Sequence, residues 1–184
     1  MSSEKQDLRV QKTHKVIRTA FMELLKEKPF ENIAIQEILE RALVNRNTFY
    51  KYYSGKSDLA GVMINEFKAE YANLIDKRKQ TLDLNKFIDD ILPQFYQKRE
   101  VILMLWKIKT KRHHLWDDMF LMIKNNYIAT QQAKLPHHNL DYQGELVATI
   151  ILKTMQYYFE RNSTIPVKQV WNEIEQILKA LQTV

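Results

Sequence analysis

Cysteine is absent from the 184 residues, so the chain can form no disulfide, thiolate metal site or thiol nucleophile. Its absence fits a reducing cytosol, and a cytoplasmic protein is expected. Glycine occurs three times and proline four times, which leaves little turn chemistry and points to long helices with short connections. No glycine-rich phosphate loop, nucleophile motif or paired-carboxylate constellation is present, so no enzyme and no cofactor are expected. No apolar run reaches the length of a bilayer span; the longest, such as residues 101–106, suit a buried helix. The opening residues 1–7 are polar and carry no apolar leader core, so neither a signal peptide nor a membrane partner is expected. Two histidine pairs, His113-His114 and His137-His138, come without cysteine or an i,i+4 histidine partner, and adjacent residues on a helix point about 100° apart. No metal site is expected there.

What is present is 45% hydrophobic and 27% charged residues, an ordinary globular composition able to bury a core. The net charge is +6. Residues 1–60 hold 11 Lys/Arg against 8 Asp/Glu, and residues 61–184 hold 17 against 14. The excess is the same in both parts, but the first is half as long, so positive charge is denser there. That suits a polyanion, since phosphate contacts supply most sequence-independent affinity for nucleic acid.

Apolar spacing predicts a first helix over 7–27, with Ile17, Ala20, Phe21, Leu24 and Leu25 inward and Arg9, Lys12, Lys15 and Arg18 off that stripe. Pro29 ends it. A second helix is expected over 35–42, with Ile35, Ile38, Leu39 and Ala42 on one face. A turn at Leu43-Val44 comes next, and Asn45 is a suitable N-cap for a short helix at about 46–52. Phe49 and Tyr53 there can face the core, leaving Arg46, Asn47, Thr48, Tyr50, Lys51 and Tyr52 outward. Arg can bind guanine bidentately, Asn can bind adenine, and the Thr methyl can meet thymine. Two short helices crossing at a turn form a helix-turn-helix, whose second helix can enter the major groove.

Residues 42–59, Ala-Leu-Val-Asn-Arg-Asn-Thr-Phe-Tyr-Lys-Tyr-Tyr-Ser-Gly-Lys-Ser-Asp-Leu, resemble the DNA-binding signature of the TetR family of bacterial transcription regulators. The family pattern runs approximately Ala-Gly-Val-Ser, two variable residues, Thr-Leu/Phe-Tyr, a variable residue, Tyr/His-Phe, two variable residues, Lys, two variable residues, Leu. Ile17, Ala20, Phe21, Leu24, Phe30, Ile35 and Ile38 also fit its spacing, so matching covers about residues 9–60. The resemblance implies that Gln36, Arg46, Asn47 and Thr48 reach base edges or nearby phosphates. It also implies that Tyr50 and Tyr52 contact the backbone and that Lys56 is a phosphate-contacting lysine. Two departures from the pattern matter. Ala34 replaces the usual Thr/Ser N-cap of the second helix, a loss of ~1 kcal/mol unless Asn32 substitutes. Leu43 replaces the turn glycine, which costs roughly 1–2 kcal/mol if the residue must be left-handed.

A long helix is expected from Ser57 to about Lys79, with Leu59, Val62, Met63, Phe67, Tyr71, Leu74 and Ile75 as its apolar side. It continues from the head without a linker and would be the one rigid route out of it. Further helices are expected at 85–98, with Pro93 kinking it, and at 100–107, 109–132, 142–161 and 167–181. Asp89-Asp90 and Asp117-Asp118 read as solvated faces. Val147, Ile150, Ile151, Thr154 and Tyr158 form one stripe of the penultimate helix, and Ala148, Leu152, Met155 and Phe159 a second. A helix apolar on two sides is buried on two sides. With Val170, Trp171, Ile174, Ile177, Leu178 and Leu181 of the last helix, the first stripe is the expected dimer interface, unless these helices only close the monomer core. Trp106, Trp116, Met119 and Phe120, with Ile123, Tyr127, Met155 and Tyr158, are candidates for an effector cavity, the alternative being plain core.

The expected protein is all-α and TetR-like, with about nine helices. Residues 1–56 would be a three-helix DNA-binding head, and residues 57–184 an effector-binding and dimerisation domain. The expected function is that of a homodimeric regulator, by resemblance a repressor, on a palindromic operator, changing its DNA binding when an effector occupies the body. The alternatives are a regulator or activator controlled by a protein partner, and a small-molecule-binding protein whose head no longer binds DNA.

Overall fold

The computed structural model describes residues 2–80 and 84–182, with side chains at 8–74, 76 and 91–182. The expected roles of Ile75, Asp89 and Asp90 lie outside the described side chains. Among the described residues nine α-helices occur in order: α1 (Ser2–Glu27), α2 (Ile35–Ala42), α3 (Arg46–Tyr50), α4 (Lys56–Gln80), α5 (Leu84–Gln97), α6 (Arg99–Trp106), α7 (Leu115–Gln132), α8 (Asp141–Glu160) and α9 (Val167–Leu181). A 3-10 turn, Phe30–Asn32, joins α1 to α2. Two compact units result: residues 1–76 with 101–122, and residues 77–100 with 123–184.

In the first unit the α1 stripe is buried as its spacing requires. Ile17, Phe21, Leu24 and Leu25 pack with Ile33, Ile38, Phe49, Tyr53, Leu59 and Ile64, all essentially without exposure. Each such side chain contributes roughly 1.5–3 kcal/mol of burial, so the core tolerates local strain in its turns. One strained position is Leu43, the C-cap of α2, at φ 54 and ψ 41. It stands where a left-handed residue must close the helix, and its side chain is 92% exposed. A β-carbon in that conformation meets the neighbouring carbonyl, and no burial offsets the cost. Leu43→Gly is therefore expected to raise stability by about 0.5–1 kcal/mol, the strain relief less the added freedom of the unfolded chain. Urea unfolding would show a higher midpoint; a lower one would mean that the leucine is not strained.

Ala34 is the N-cap of α2 and has no side-chain acceptor to offer. Glu37 supplies only the reciprocal half of a capping box, its Oε2 accepting the Ala34 amide at 2.9 Å, while its Oε1 takes the Lys28 ammonium at 2.5 Å. Both contacts, Lys28 first, hold the Glu37 carboxyl below its ordinary pKa. Asn45 caps α3 as expected, with Oδ1 accepting the Thr48 amide at 2.7 Å.

The helix expected over 109–132 begins only at Leu115. Residues 107–114 form a turn closed by an isolated antiparallel bridge between Lys109 and His114. The Thr110 hydroxyl accepts the amides of Arg112 and His113 at 3.2 and 3.0 Å, a local alternative to helix that threonine readily offers. His113 and His114 therefore do not lie on a helix. His113 covers α4 at Gly61, where a β-carbon would sit 2.6 Å from its Cε1. Lys107 Nζ donates to the Leu25 carbonyl of α1 at 3.2 Å. The expectation that α4 is the one rigid route out of the head is thus corrected: the α6–α7 turn is attached to α1 and α4 as well.

In the second unit α8 buries Ala148, Leu152, Met155 and Phe159, the second of its two expected stripes, and Gly144 besides. Gly144 lets α7 come close, since a β-carbon there would lie 2.9 Å from Lys124 Cγ and 3.2 Å from Ile128 Cγ1. Lys124 then pairs with Asp141 at 2.7 Å and Glu145 at 2.6 Å. Asn162, with φ 55, ends α8, and the Ser163 amide returns to the Tyr158 carbonyl at 2.9 Å. Tyr96 donates to the Asn162 carbonyl and Arg99 to its side-chain oxygen, at 2.7 and 2.6 Å. Pro93 lies inside α5, which continues as helix through it. α9 has the sharpest apolar side of the unit and buries no residue.

Candidate nucleic-acid interface

The base-reading candidates stand together at the start of α3 and beside it on α2. Arg46 and Asn47 are exposed and Thr48 is half-buried. Gln36 is exposed on the first turn of α2, donating to Glu40 at 2.9 Å. Arg46 Nη2 is 3.5 Å from Gln36 Oε1, a long and weak contact that leaves the guanidinium available. A helix N-terminus with a cation and two amide side chains meets the chemistry of base edges and phosphates together.

The aromatic residues divide. Tyr50 is 46% exposed, its ring edge-on to the buried Phe49. Tyr52 is half-buried, with its ring against His14 at 4.6 Å and the exposed Lys51 ammonium 5.5 Å from its centroid. Tyr50, Lys51 and Tyr52 thus form an outward margin, and Phe49 and Tyr53 are core.

Lys56 is placed differently from the phosphate ligand that the resemblance implies. Its ammonium donates to three backbone carbonyls, Phe30 at 2.9 Å, Glu31 at 2.8 Å and Ile33 at 2.7 Å. It also lies 4.9 Å from the Phe30 ring centroid. Three donors are all that a lysine has, so here it is a clamp closing the 3-10 turn onto α4. Burial draws its pKa below the ordinary lysine value, opposed by Glu31 and Glu37.

Trp106, Trp116 and Met119 are brought together in the first unit. The two indoles meet edge-to-face at 4.7 Å, and Trp106 Nε1 donates to Met119 Sδ at 3.3 Å. Trp106 and Met119 are buried, whereas Trp116 and Phe120 are half-buried. Ile123, Tyr127, Met155 and Tyr158 belong to the second unit, where Tyr127 donates to Gln143 at 2.9 Å. Of the interface candidates, Val147, Thr154, Tyr158, Val170 and Ile174 are half-buried. Ile151, Ile177, Leu178 and Leu181 are exposed.

The spacing of apolar residues did not reveal a polar linkage around Tyr53. His14 and Arg18 of α1 reach the Tyr53 hydroxyl, and Arg18 pairs with Glu66 of α4. One signal was present: a tyrosine stands where the family pattern has phenylalanine, and a buried hydroxyl requires a partner.

Comparison with known proteins agrees with this geometry. The family described as "Bacterial regulatory proteins, tetR family" matches residues 17–63, from the middle of α1 into α4. The HTH-type dhaKLM operon transcriptional activator DhaS of Lactococcus lactis subsp. lactis (strain IL1403) is 23% identical over 180 residues, covering 91% of this chain and 89% of that protein. The HTH-type regulator YdeS of Bacillus subtilis (strain 168) is 39% identical over 67 residues, covering 36% of this chain and 32% of its own length. A solved structure, a gamma-butyrolactone receptor (ArpA-like protein), superposes with TM-score 0.56 at 12% identity, over 96% of this chain and 100% of that one, which speaks to the fold. With the helix-turn-helix, the outward readers on α3 and the all-helical architecture in place, residues 17–63 form a TetR-type DNA-binding head within a TetR-like fold, and the chain is a DNA-binding transcription regulator of TetR type.

Proposed function

We propose that the chain acts as a homodimer on a palindromic operator, represses by occupying it, and changes its DNA binding when an effector occupies the residues after the head. The outward edge of α3, with Arg46 and Asn47 exposed and Thr48 half-buried, carries this reading. Residues 1–56 serve as the DNA-binding head and residues 57–184 as the sensing and dimerisation part, with the protein working in the cytoplasm. Among the described residues no helix is long and apolar enough to cross a membrane. The dimer surface is the outer side of α8 with α9, where Ile150, Ile151, Trp171, Ile177, Leu178 and Leu181 are left uncovered. Two such surfaces related by a two-fold axis cover each other and set two recognition helices on successive half-sites. An effector shifts DNA binding only by its difference in affinity for the two states. Trp106, Trp116, Met119 and Phe120 are the aromatic and sulfur-bearing group proposed to meet it.

Enrichment of duplex from a random pool, followed by footprinting, tests the reading. A palindromic protected site is expected, and no enrichment would sink it. Arg46→Ala should then reduce discrimination between the enriched and a scrambled duplex by ~1–3 kcal/mol. Unchanged discrimination would remove Arg46 from the readers. Activation is the second reading, favoured by the full-length similarity to a protein named as an operon transcriptional activator. Placing the enriched site before a reporter promoter separates the two by the sign of the response.

A further inference from the structure

Tyr53, just beyond α3, is buried to 1% exposure with its ring 5.6 Å from that of Phe49. Its hydroxyl is met from α1. His14 Nδ1 lies 2.6 Å from it, and Arg18 Nε donates to it at 3.3 Å. The two terminal nitrogens of Arg18 donate to the Glu66 carboxylate of α4 at 2.7 Å each. The His14 ring also rests against Tyr52 at 4.6 Å and edge-on to Tyr53 at 5.4 Å. Two side chains one turn apart on α1 therefore hold the end of the recognition segment, and one of them also holds α4.

The chemistry fixes the direction of each bond. Arginine has donors and no acceptor, so the phenol oxygen accepts from Arg18. The phenol hydrogen must then go to a lone pair on His14 Nδ1, which exists only in the neutral imidazole protonated at Nε2. A second proton on His14 turns Nδ1 into a donor. The phenol oxygen would then face two cationic donors while its own hydrogen lost its acceptor, and a new positive charge would stand beside Arg18. Glu66, the counter-charge, is already bound by Arg18.

We propose that His14 is a positioning residue of the DNA-reading surface: its neutral imidazole accepts the Tyr53 hydroxyl and so sets α3 against α1 and α4, and its protonation loosens that seat. This rests on the reading of α3 as the base-reading helix. The charged and titratable groups facing His14 are Arg18 on its own helix, Tyr52 and Tyr53 after α3, and Glu66 on α4. Burial, then Arg18, hold the imidazole below its ordinary value of 6.5, with Glu66 opposing. The unfolded chain thus binds the proton first as pH falls through 6.5. Stability and the seat of α3 are unaffected above that pH and decline below it, toward the lower folded-state value.

The test is fluorescence anisotropy of the full chain on the duplex it enriches, at pH 7.5 and 5.5 and constant ionic strength. Wild type should lose about 5- to 10-fold in affinity between the two, over the window where histidine gains its proton. His14→Gln keeps an acceptor that cannot titrate, and should match wild type at pH 7.5 and vary little down to pH 5.5. Tyr53→Phe, the residue that the family pattern has here, should fold, bind about 3- to 10-fold more weakly at pH 7.5, and lose the pH dependence, the range expected for a lost hydrogen bond. His14→Gln losing affinity on acidification as wild type does, or Tyr53→Phe binding as wild type does at pH 7.5, would overturn the proposal. Melting temperature against pH, without DNA, separates its failure from that of the DNA reading. If no duplex is enriched, the DNA part of the proposal fails, and melting still reports the linkage. Wild type and His14→Gln declining identically below pH 6.5 would remove the linkage itself.

Discussion

Replacing Ile174 and Leu178 together by glutamate is expected to give a monomer whose affinity for the enriched duplex falls by about 100-fold or more, because two tethered half-site contacts bind far more tightly than one. Leu178 is 56% exposed and Ile174 half-buried on a helix that buries no residue in its own chain. Neither substitution removes packing on which the head depends. Each places a charge at the centre of the proposed two-fold contact, and desolvating two like-charged pairs there costs more than the surface can return. Sedimentation velocity and anisotropy on the same samples check both halves. A double variant that sediments as a dimer would exclude this face as the interface. A monomer with undiminished affinity would exclude dimerisation as the source of DNA affinity.

Lys56→Met should lower the stability of the fold by about 2–3 kcal/mol, the range for hydrogen bonds made by a charged group. It would leave three carbonyls that the ammonium now serves. Methionine keeps most of the aliphatic stem against Phe30, so the loss reports the ammonium and not packing. A lysine engaged with phosphate would behave otherwise: the urea midpoint would hold, and the salt dependence of DNA binding would flatten by about one unit. An unchanged midpoint with a flatter slope would restore the phosphate role and remove the clamp.

The helix-turn-helix is legible because its cues are local. Apolar spacing gives 35–42 for α2, Asn45 gives the start of α3, and Pro29 gives the end of α1, each set by chemistry within four residues. At the start of α2, Glu37 reaches back to accept the Ala34 amide, as a glutamate three residues into a helix does, while the acceptor that a Ser/Thr cap would offer to the first turn stays missing. The 107–114 turn is not legible. It contains neither glycine nor proline, and the break is made by the Thr110 hydroxyl together with attachments to Leu25 and Gly61, distant in sequence. Lys56 departs from expectation for a related reason. A sequence displays the cation but not the carbonyls that the 3-10 turn leaves open toward it. His14, Arg18 and Glu66 lie on helices whose apolar spacing says nothing of polar partners, and only the phenol at position 53 signals them.

α9 has consequences for abundance as well as shape. Its 15 residues are close to the length at which an isolated helix is marginal in water, and of its apolar residues Trp171, Ile177, Leu178 and Leu181 are exposed while Val170 and Ile174 are half-buried. In the proposed dimer a second copy covers that side, so the helix would be ordered by an encounter whose frequency depends on concentration. At low copy number the last helix would be the first part to loosen. A cell could then tune the regulator by how much of it is made, before any signal molecule is sensed.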